Sequence, residues 1–278
     1  IGDDGQPRWS RGTNYLVTSS ADEPRRLWPC FSSEHRGTIS DAITLNDPAR
    51  GLRRTVRVYF PPGYDENTLK RYPVLYMHDG SNLFFPDESF GGVEWQVDET
   101  LDQLDKMNVI DKVIVVGVYA HDRMNEYTRP GYEGYGRFLV DVLKPKIDRE
   151  LRTLPGPDTT AVMGSSLGGV VSFFLGFQHP EVFGKVACLS STFGYRDDLM
   201  ERVAAEPRRS GRIYLDSGWP EDNYENTTAM RDQLLARGHQ FGRDLLYFAF
   251  PGAQHDEGAW AARSHIPFQF FFGKVPRF

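Results

Sequence analysis

Residues 160–177, TAVMGSSLGGVVSFFLGF, predict a strand, a tight turn and a helix in direct succession. Thr160 to Met163 is a short apolar run that indicates a buried strand, and residues 166–177 have the composition of a buried helix. Between them, Gly164-Ser165-Ser166-Leu167-Gly168 matches the pattern G-x-S-x-G. A serine at a sharp strand-to-helix turn is the arrangement in which many hydrolases expose a nucleophilic hydroxyl.

Ser166 is therefore the predicted nucleophile. A serine hydroxyl attacks poorly unless it is held against a base, and flanking glycines let the backbone pass through so tight a turn. The helix that follows places its N-terminus beneath the serine, where it favours developing negative charge. The alternative interpretation is a Gly- and Ser-rich junction without catalysis, and the partners found further along the chain favour the catalytic one.

The rest of the chain alternates apolar strands with helices of ten residues or more. Such alternation predicts an α/β fold with a mostly parallel central sheet and helices on both faces. We expect one catalytic domain over residues 37–278, preceded by an arm or remnant of an upstream segment at residues 1–36. Strands are predicted at residues 54–60, 73–77, 113–118, 160–163, 185–189, 212–215 and 245–250, and helices at residues 97–109, 135–151, 166–177, 227–236 and 260–272.

The base and the acid of a serine triad are expected after later strands. In the α/β-hydrolase fold the partners follow in the order serine, acid, histidine. His255 lies in the loop between the last predicted strand and the last helix, so it is the predicted base. The acid belongs after the strand at residues 212–215, where Asp216, Glu221 and Asp222 compete. We prefer Asp222, which lies beyond a glycine turn and can reach the histidine loop.

Acyl transfer also requires two backbone N–H groups aimed at the developing oxyanion. One is predicted to be the amide of Leu167, and the other the amide of Ser81, in the loop after the strand at residues 73–77. The loops at the same sheet edge are where ligands bind in such folds. The residues from these loops that we predict to contact substrate are Asp79, Phe84, Trp95, Arg123 and Trp219.

Composition excludes several classes of function. The chain has 278 residues and a formal net charge of −6, with basic residues scattered rather than clustered, so nucleic-acid binding is not expected. No apolar run approaches the roughly 20 residues that span a bilayer. The chain begins at Ile1 rather than at a methionine, which we interpret as the result of removing a leader or upstream segment. The sequence does not indicate the compartment or the oligomeric state.

Four motifs together resemble the family of esterases that includes enterochelin, feruloyl and acetylxylan esterases. They are Tyr72-Pro-Val-Leu-Tyr-Met-His-Asp-Gly80, Gly164-Ser-Ser-Leu-Gly-Gly169, Pro180-Glu-Val-Phe-Gly184 and His255. The resemblance covers about residues 37–275. It implies an α/β-hydrolase domain without a large lid and without a metal or other cofactor, a triad of Ser166, Asp222 and His255, and an oxyanion amide at Ser81. The nucleophile region is unlike the S-formylglutathione hydrolase and mycolyltransferase branches.

The sequence therefore predicts a serine carboxylic-ester hydrolase that forms an acyl-enzyme. The expected substrates are small-molecule or carbohydrate-linked esters of the feruloyl, acetyl or siderophore type. One alternative is an acyltransferase that uses the same triad, and another is a non-catalytic binding module that retains the fold.

Overall fold

The computed structural model describes residues 5–10, 26–31 and 35–274. Within them, nine strands form one sheet. The strands are β1 Thr38–Ile39, β2 Ile43–Asp47, β3 Leu52–Phe60, β4 Val74–Met77, β5 Ile114–Val118, β6 Thr160–Ser165, β7 Lys185–Leu189, β8 Arg212–Trp219 and β9 Leu245–Pro251.

The order of the strands is β1-β3-β5-β4-β6-β7-β8-β9, with β2 also paired to β3. Strands β5, β4, β6, β7, β8 and β9 run parallel to one another, whereas β3 is antiparallel to β1, β2 and β5. The predicted α/β-hydrolase fold with a mostly parallel sheet is confirmed. Because the six parallel strands end on the same edge, the loops after β4, β5, β6, β7, β8 and β9 gather there.

Nine helices connect or flank these strands in the described residues. They are α1 Val97–Lys106, α2 Arg123–Glu126, α3 Gly131–Arg137, α4 Lys144–Glu150, α5 Leu167–Gln178, α6 Leu199–Ala205, α7 Tyr224–Ala236, α8 Glu257–Arg263 and α9 His265–Phe272. Short 3₁₀ turns occupy Gly80–Asn82, Pro86–Glu88, Phe90–Gly92 and Pro157–Thr159, and a π-helical turn spans Phe138–Leu143.

The sheet separates two hydrophobic layers. Alternate residues of a strand point to opposite faces, so Val74 and Tyr76 of β4 enter one layer and Leu75 and Met77 enter the other. The first layer is completed by α3, α5 and α7, and the second by α1 and α9. Burial on both faces explains why the central strands are apolar throughout.

Two helices that were predicted as continuous are interrupted. The helix predicted at residues 135–151 is divided into α3, the π-helical turn and α4, which begins with Pro145 near its first turn. The helix predicted at residues 260–272 is divided at Ser264, three residues before Pro267. Proline has no N–H for the bond to the carbonyl four residues earlier, so the regular helix breaks in both places.

The predicted arm at residues 1–36 lies largely outside the described residues, and its boundary stays a prediction. Its described part near Phe31 contacts the loop after β3, since the Phe31 amide donates to Glu66 Oε2 at 2.8 Å. No inserted lid domain covers the sheet edge within residues 35–274. Among the described helices, none has both the length and the apolar character that crossing a bilayer requires.

Candidate active site

Ser166 lies at the turn between β6 and α5. Its backbone has φ 56° and ψ −122°, a strained conformation typical of the nucleophile turn in this fold. A side chain at Gly164 would bring its Cβ within 2.6 Å of the backbone of Gly168. The close approach of strand and helix therefore requires glycine there, and it leaves the Ser166 hydroxyl at the C-terminal edge of the sheet.

The loops after β8 and β9 carry Asp222 and His255. Strands in a sheet are spaced by about 4.8 Å, so β9 lies roughly 14 Å from β6, three strands away. The turns after β8 and β9 are joined by the Gly252 amide, which donates to the Trp219 carbonyl at 2.9 Å. Both loops reach back across the end of β7 to meet Ser166.

A continuous chain of hydrogen bonds joins the three side chains. His255 Nε2 lies 2.9 Å from Ser166 Oγ, and His255 Nδ1 lies 2.5 Å from Asp222 Oδ1. The imidazole also packs edge-on against the Trp260 ring, with 4.9 Å between the ring centroids. In this geometry a neutral imidazole that donates from Nδ1 to Asp222 has Nε2 ready to accept the serine proton.

The Asp222 side chain is buried, and both of its carboxylate oxygens accept hydrogen bonds. Its side chain is 2% exposed, and its Oδ2 accepts hydrogen bonds from Ser190 Oγ at 2.6 Å and from the Gly218 amide at 2.8 Å. Burial by itself raises the pKa of Asp222, but the hydrogen bonds from His255, Ser190 and Gly218 outweigh it and hold that pKa below its usual range. The lowered pKa favours the charged form of Asp222, which accepts the hydrogen bond from His255 Nδ1.

The two competing carboxylates lie elsewhere. Asp216 is fully buried in β8 and accepts from Arg263 Nε at 3.1 Å and from Tyr214 Oη at 2.8 Å. Burial raises the pKa of Asp216 to about 6, although Arg263 and Tyr214 oppose this. Glu221 is exposed. Of the three candidates, Asp222 is the one with a hydrogen bond to His255.

Leu167 and Ser81, whose amides are the predicted oxyanion donors, follow β6 and β4 at the sheet edge that carries Ser166. Leu167 is the first residue of α5, so its N–H has no acceptor within the helix. Ser81 lies in the turn after β4, where a side chain at Gly80 would bring its Cβ within 2.6 Å of the Gly117 backbone. Neither the Leu167 nor the Ser81 amide donates a hydrogen bond within residues 35–274.

A cleft of about 470 Å³ opens over the nucleophile. Its walls combine charged, amide and aromatic side chains, and the lining residues are Asp79, Ser81, Asn82, Phe90, Tyr119, Ala120, Arg123, Ser166, His255, Glu257 and Trp260. Phe90 is 77% exposed although it lines the cleft. The volume lies within the range of small-molecule sites.

The predicted substrate contacts fall into two groups. Asp79 and Arg123 line the cleft and form a two-bond ion pair, Nε to Oδ1 at 2.9 Å and Nη2 to Oδ2 at 3.0 Å. Phe84 and Trp95 do not line it, because both turn into the layer that contains α1 and α9 and are 4% and 3% exposed. Trp219 is 49% exposed at the end of β8 and is also absent from the cleft wall.

Several residues of the site were not predicted from the sequence. Ser190 follows β7 directly, so the rule that ligands bind at strand ends could have indicated it. Phe90, Tyr119 and Glu257 line the cleft, and Glu257 accepts from Asn82 Nδ2 at 3.2 Å. No periodic pattern in the sequence distinguishes these four residues from surface residues.

One group of side chains in the described residues is arranged so that it could ligate a metal. Ligand atoms of Glu94, Asp98 and Glu99 lie within 4.8 Å of one another. None of the three lines the cleft. These candidate metal ligands are therefore separate from the cleft that contains Ser166 and His255.

Comparison with known sequences gives matches along most of the chain. A model of the family described as Putative esterase matches residues 48–263. The uncharacterized protein YbbA of Bacillus subtilis (strain 168) is 25% identical over 207 residues, which are 69% of this chain and 77% of YbbA. The endo-1,4-beta-xylanase/feruloyl esterase of Xylanibacter ruminicola is 26% identical over 202 residues, which are 70% of this chain and 27% of that protein.

Solved structures have the same architecture. A ferulic acid esterase superposes with a TM-score of 0.72 and 18% identity, covering 85% of this chain and 98% of that one. The enterobactin esterase FES of Shigella flexneri, crystallised in the presence of enterobactin, gives a TM-score of 0.70 and 19% identity, covering 83% of this chain and 58% of that one. At these identities the likeness shows the fold.

Proposed function

The chain belongs to the Putative esterase family and is a carboxylic ester hydrolase, and we propose that Ser166 is its nucleophile in an acyl-enzyme mechanism. The observation that carries this proposal is the hydrogen-bond chain from Ser166 Oγ through His255 to Asp222, with distances of 2.9 Å and 2.5 Å. Such a chain supplies a nucleophile, a base and a group that orients the base.

Each step follows from this geometry. His255 Nε2 takes the proton from Ser166 Oγ as the oxygen attacks the ester carbonyl, and the amides of Leu167 and Ser81 donate to the resulting oxyanion. Asp222 stabilises the imidazolium that forms. His255 then gives its proton to the departing alcohol, and it activates a water molecule to release the acid from Ser166.

We further propose that the substrates are aryl or acetyl esters of polysaccharides, with siderophore esters second. Exposed Phe90 offers a face for an aryl group or a sugar ring. Asp79, Arg123 and Glu257 on the cleft wall offer partners for hydroxyl groups. A panel of feruloyl, acetyl, short acyl and trilactone esters tests this ranking, and a kcat/KM highest for the trilactone would reverse it.

Replacing Ser166 tests the mechanism. Ser166→Ala is expected to lower turnover of p-nitrophenyl acetate by at least about a thousandfold, because the attacking oxygen is removed. Ser165→Ala is the matched control, since Ser165 is an adjacent buried serine at the end of β6. The control is expected to retain turnover within a few fold, and S166A with wild-type turnover would reject the mechanism.

A further inference from the structure

Ser190 occupies the centre of the polar network behind the triad acid. It follows β7 directly and is fully buried. Its Oγ lies 2.6 Å from Asp222 Oδ2, 3.1 Å from Trp260 Nε1 and 2.5 Å from Arg263 Nη2. One hydroxyl thus contacts a carboxylate, an indole and a guanidinium.

The chemistry of these neighbours fixes the direction of each hydrogen bond. An indole N–H and a guanidinium can only donate, and a hydroxyl has one proton and two acceptor positions. Trp260 and Arg263 therefore occupy both acceptor positions of Ser190 Oγ. The single proton of Ser190 is left to Asp222, and the hydroxyl cannot rotate away without losing a bond.

The backbone of Ser190 is also held in place. Its amide donates to the Asp216 carbonyl at 2.8 Å, and its carbonyl accepts from Asn223 Nδ2 at 2.8 Å. Asn223 is the residue after Asp222. The loop that carries the acid is thus fastened to Ser190 through both the side chain and the main chain.

We propose that Ser190 is a positioning residue of the active site, whose hydroxyl, oriented by Trp260 and Arg263, fixes Asp222 so that Oδ1 faces His255. This inference rests on the proposed function. Ser190 touches no reacting atom and acts through Asp222. By donating to Oδ2, it draws negative charge toward that oxygen and reduces the charge that Oδ1 presents to the imidazole.

Several charged groups surround His255 and the polar network around Ser190, and each could affect the titration of the active site. Asp222 faces His255 from the loop after β8, and Arg263 Nη2 lies 3.5 Å from Asp222 Oδ2. Arg263 is paired with Asp216 at 3.1 Å. Asp79, Arg123 and Glu257 share the cleft with His255, and Asp256 adjoins it in sequence. Deleting the Ser190 hydroxyl changes none of these charged groups.

Two matched hydroxyl deletions test the proposal. Ser190→Ala removes a hydroxyl from Asp222, and Tyr214→Phe removes one from Asp216, which has no bond to His255. We expect S190A to lower kcat about tenfold with KM within about twofold, because a hydrogen bond to a charged group is lost. We also expect the acid limb of its kcat/KM profile to move to higher pH by roughly 0.5 unit, since more negative charge stays on Oδ1.

The Tyr214→Phe variant distinguishes a loss of Asp222 positioning from a general loss of stability. Y214F is expected to lose a similar amount of thermal stability while its kcat stays within about twofold and its acid limb does not move. Ser190 has φ 44°, so Ser190→Gly, which tolerates that conformation, supplies a second hydroxyl deletion if S190A does not fold.

The outcomes distinguish this inference from the proposed function. If wild-type protein shows no Ser166-dependent ester hydrolysis, the proposed function fails. If it does hydrolyse esters, but S190A and S190G match Y214F in kcat and in acid limb, Ser190 is structural and the inference is overturned.

Discussion

Asp222 and Asp216 are six residues apart and both are buried, yet their surroundings push their pKa values in opposite directions. Donors at both oxygens of Asp222 hold its pKa down, whereas burial in β8 raises that of Asp216 to about 6. Arg263 pairs with the Asp216 carboxylate and Tyr214 donates a hydrogen bond to it, so Asp216 is held within the sheet. Asp222 keeps one oxygen for the imidazole.

Replacing each carboxylate by its amide separates these roles. Asp222→Asn is expected to lower kcat about a thousandfold or more, because an amide in this position favours the wrong tautomer of His255. Asp216→Asn is expected to act mainly on stability, since it removes the closer of the two carboxylates that face the buried Arg263 guanidinium. Rates at saturating ester and melting temperatures of both variants provide the check. A larger loss of kcat in D216N than in D222N would assign the triad acid to Asp216.

Single residues differed in how far the sequence could predict them. Ser166 and His255 were indicated by motif and chain order, because the fold places each at a particular strand end. Phe84 and Trp95 were expected in the cleft, but the direction of a loop side chain depends on which layer has space for it. Ser190 and Arg263 meet through strand pairing and helix packing, which no local pattern records.

A crowded group of carboxylates surrounds the start of α1: Glu94 precedes the helix, and Asp98 and Glu99 lie in its first turn. Burial and the nearby Glu99 charge raise the pKa of Asp98 to about 7. A carboxyl whose pKa is raised on folding stabilises the protein at low pH, and this stabilisation is lost as the pH rises through its folded pKa. The relevant window runs from about pH 4 to pH 7.

Asp98→Asn should therefore raise the melting temperature above that of wild type, and this difference should be larger at pH 8 than at pH 5. We expect a gain of roughly 2–4 °C in melting temperature at pH 8, after allowing for the partial exposure of Asp98, and a clearly smaller gain at pH 5, where only the first part of the window has been crossed. Asp65→Asn, at an exposed position, is the control. An equal shift of D98N at both pH values would contradict the raised pKa of Asp98.

Strands and helices were predictable where burial makes the pattern simple. The apolar runs gave β4, β5, β6 and β7 within a residue or two. Strand β8 was predicted to end at Leu215 but continues to Trp219, because Asp216 is paired with Arg263 and can stay buried in the sheet. The helices containing Pro145 and Pro267 were predicted as continuous because the apolar periodicity extends past both prolines. The prolines themselves were the signal in the sequence that could have indicated the interruptions.

The antiparallel edge of the sheet is joined to the active-site side by a buried cation. Arg54 of β3 lies 3.0 Å from Asp47 of β2 and 2.9 Å from Glu126 of α2. Glu126 in turn accepts from the His121 amide at 3.0 Å, in the loop after β5. The hairpin β2–β3 is thereby coupled to the segment that carries Arg123 into the cleft.

Arg54→Ala is expected to destabilise the fold by about 3–5 kcal/mol, because it removes the cation that pairs with two buried carboxylates. For a chain of this size the melting temperature should fall on the order of 10 °C. Arg53→Ala is the matched control, since Arg53 is the exposed neighbour on the same strand. Calorimetric melting curves that are alike for the two variants would show that Arg54 does not join these elements.

The proposed mechanism depends on one oxygen atom, Ser166 Oγ, which His255 makes nucleophilic. A fluorophosphonate probe reacts with such an activated serine, and mass spectrometry of the digested protein locates the adduct. We predict one adduct on Ser166 in wild-type protein and in S165A, and none in S166A. A wild-type protein that hydrolyses esters yet carries no adduct, or carries it on another residue, would contradict the mechanism.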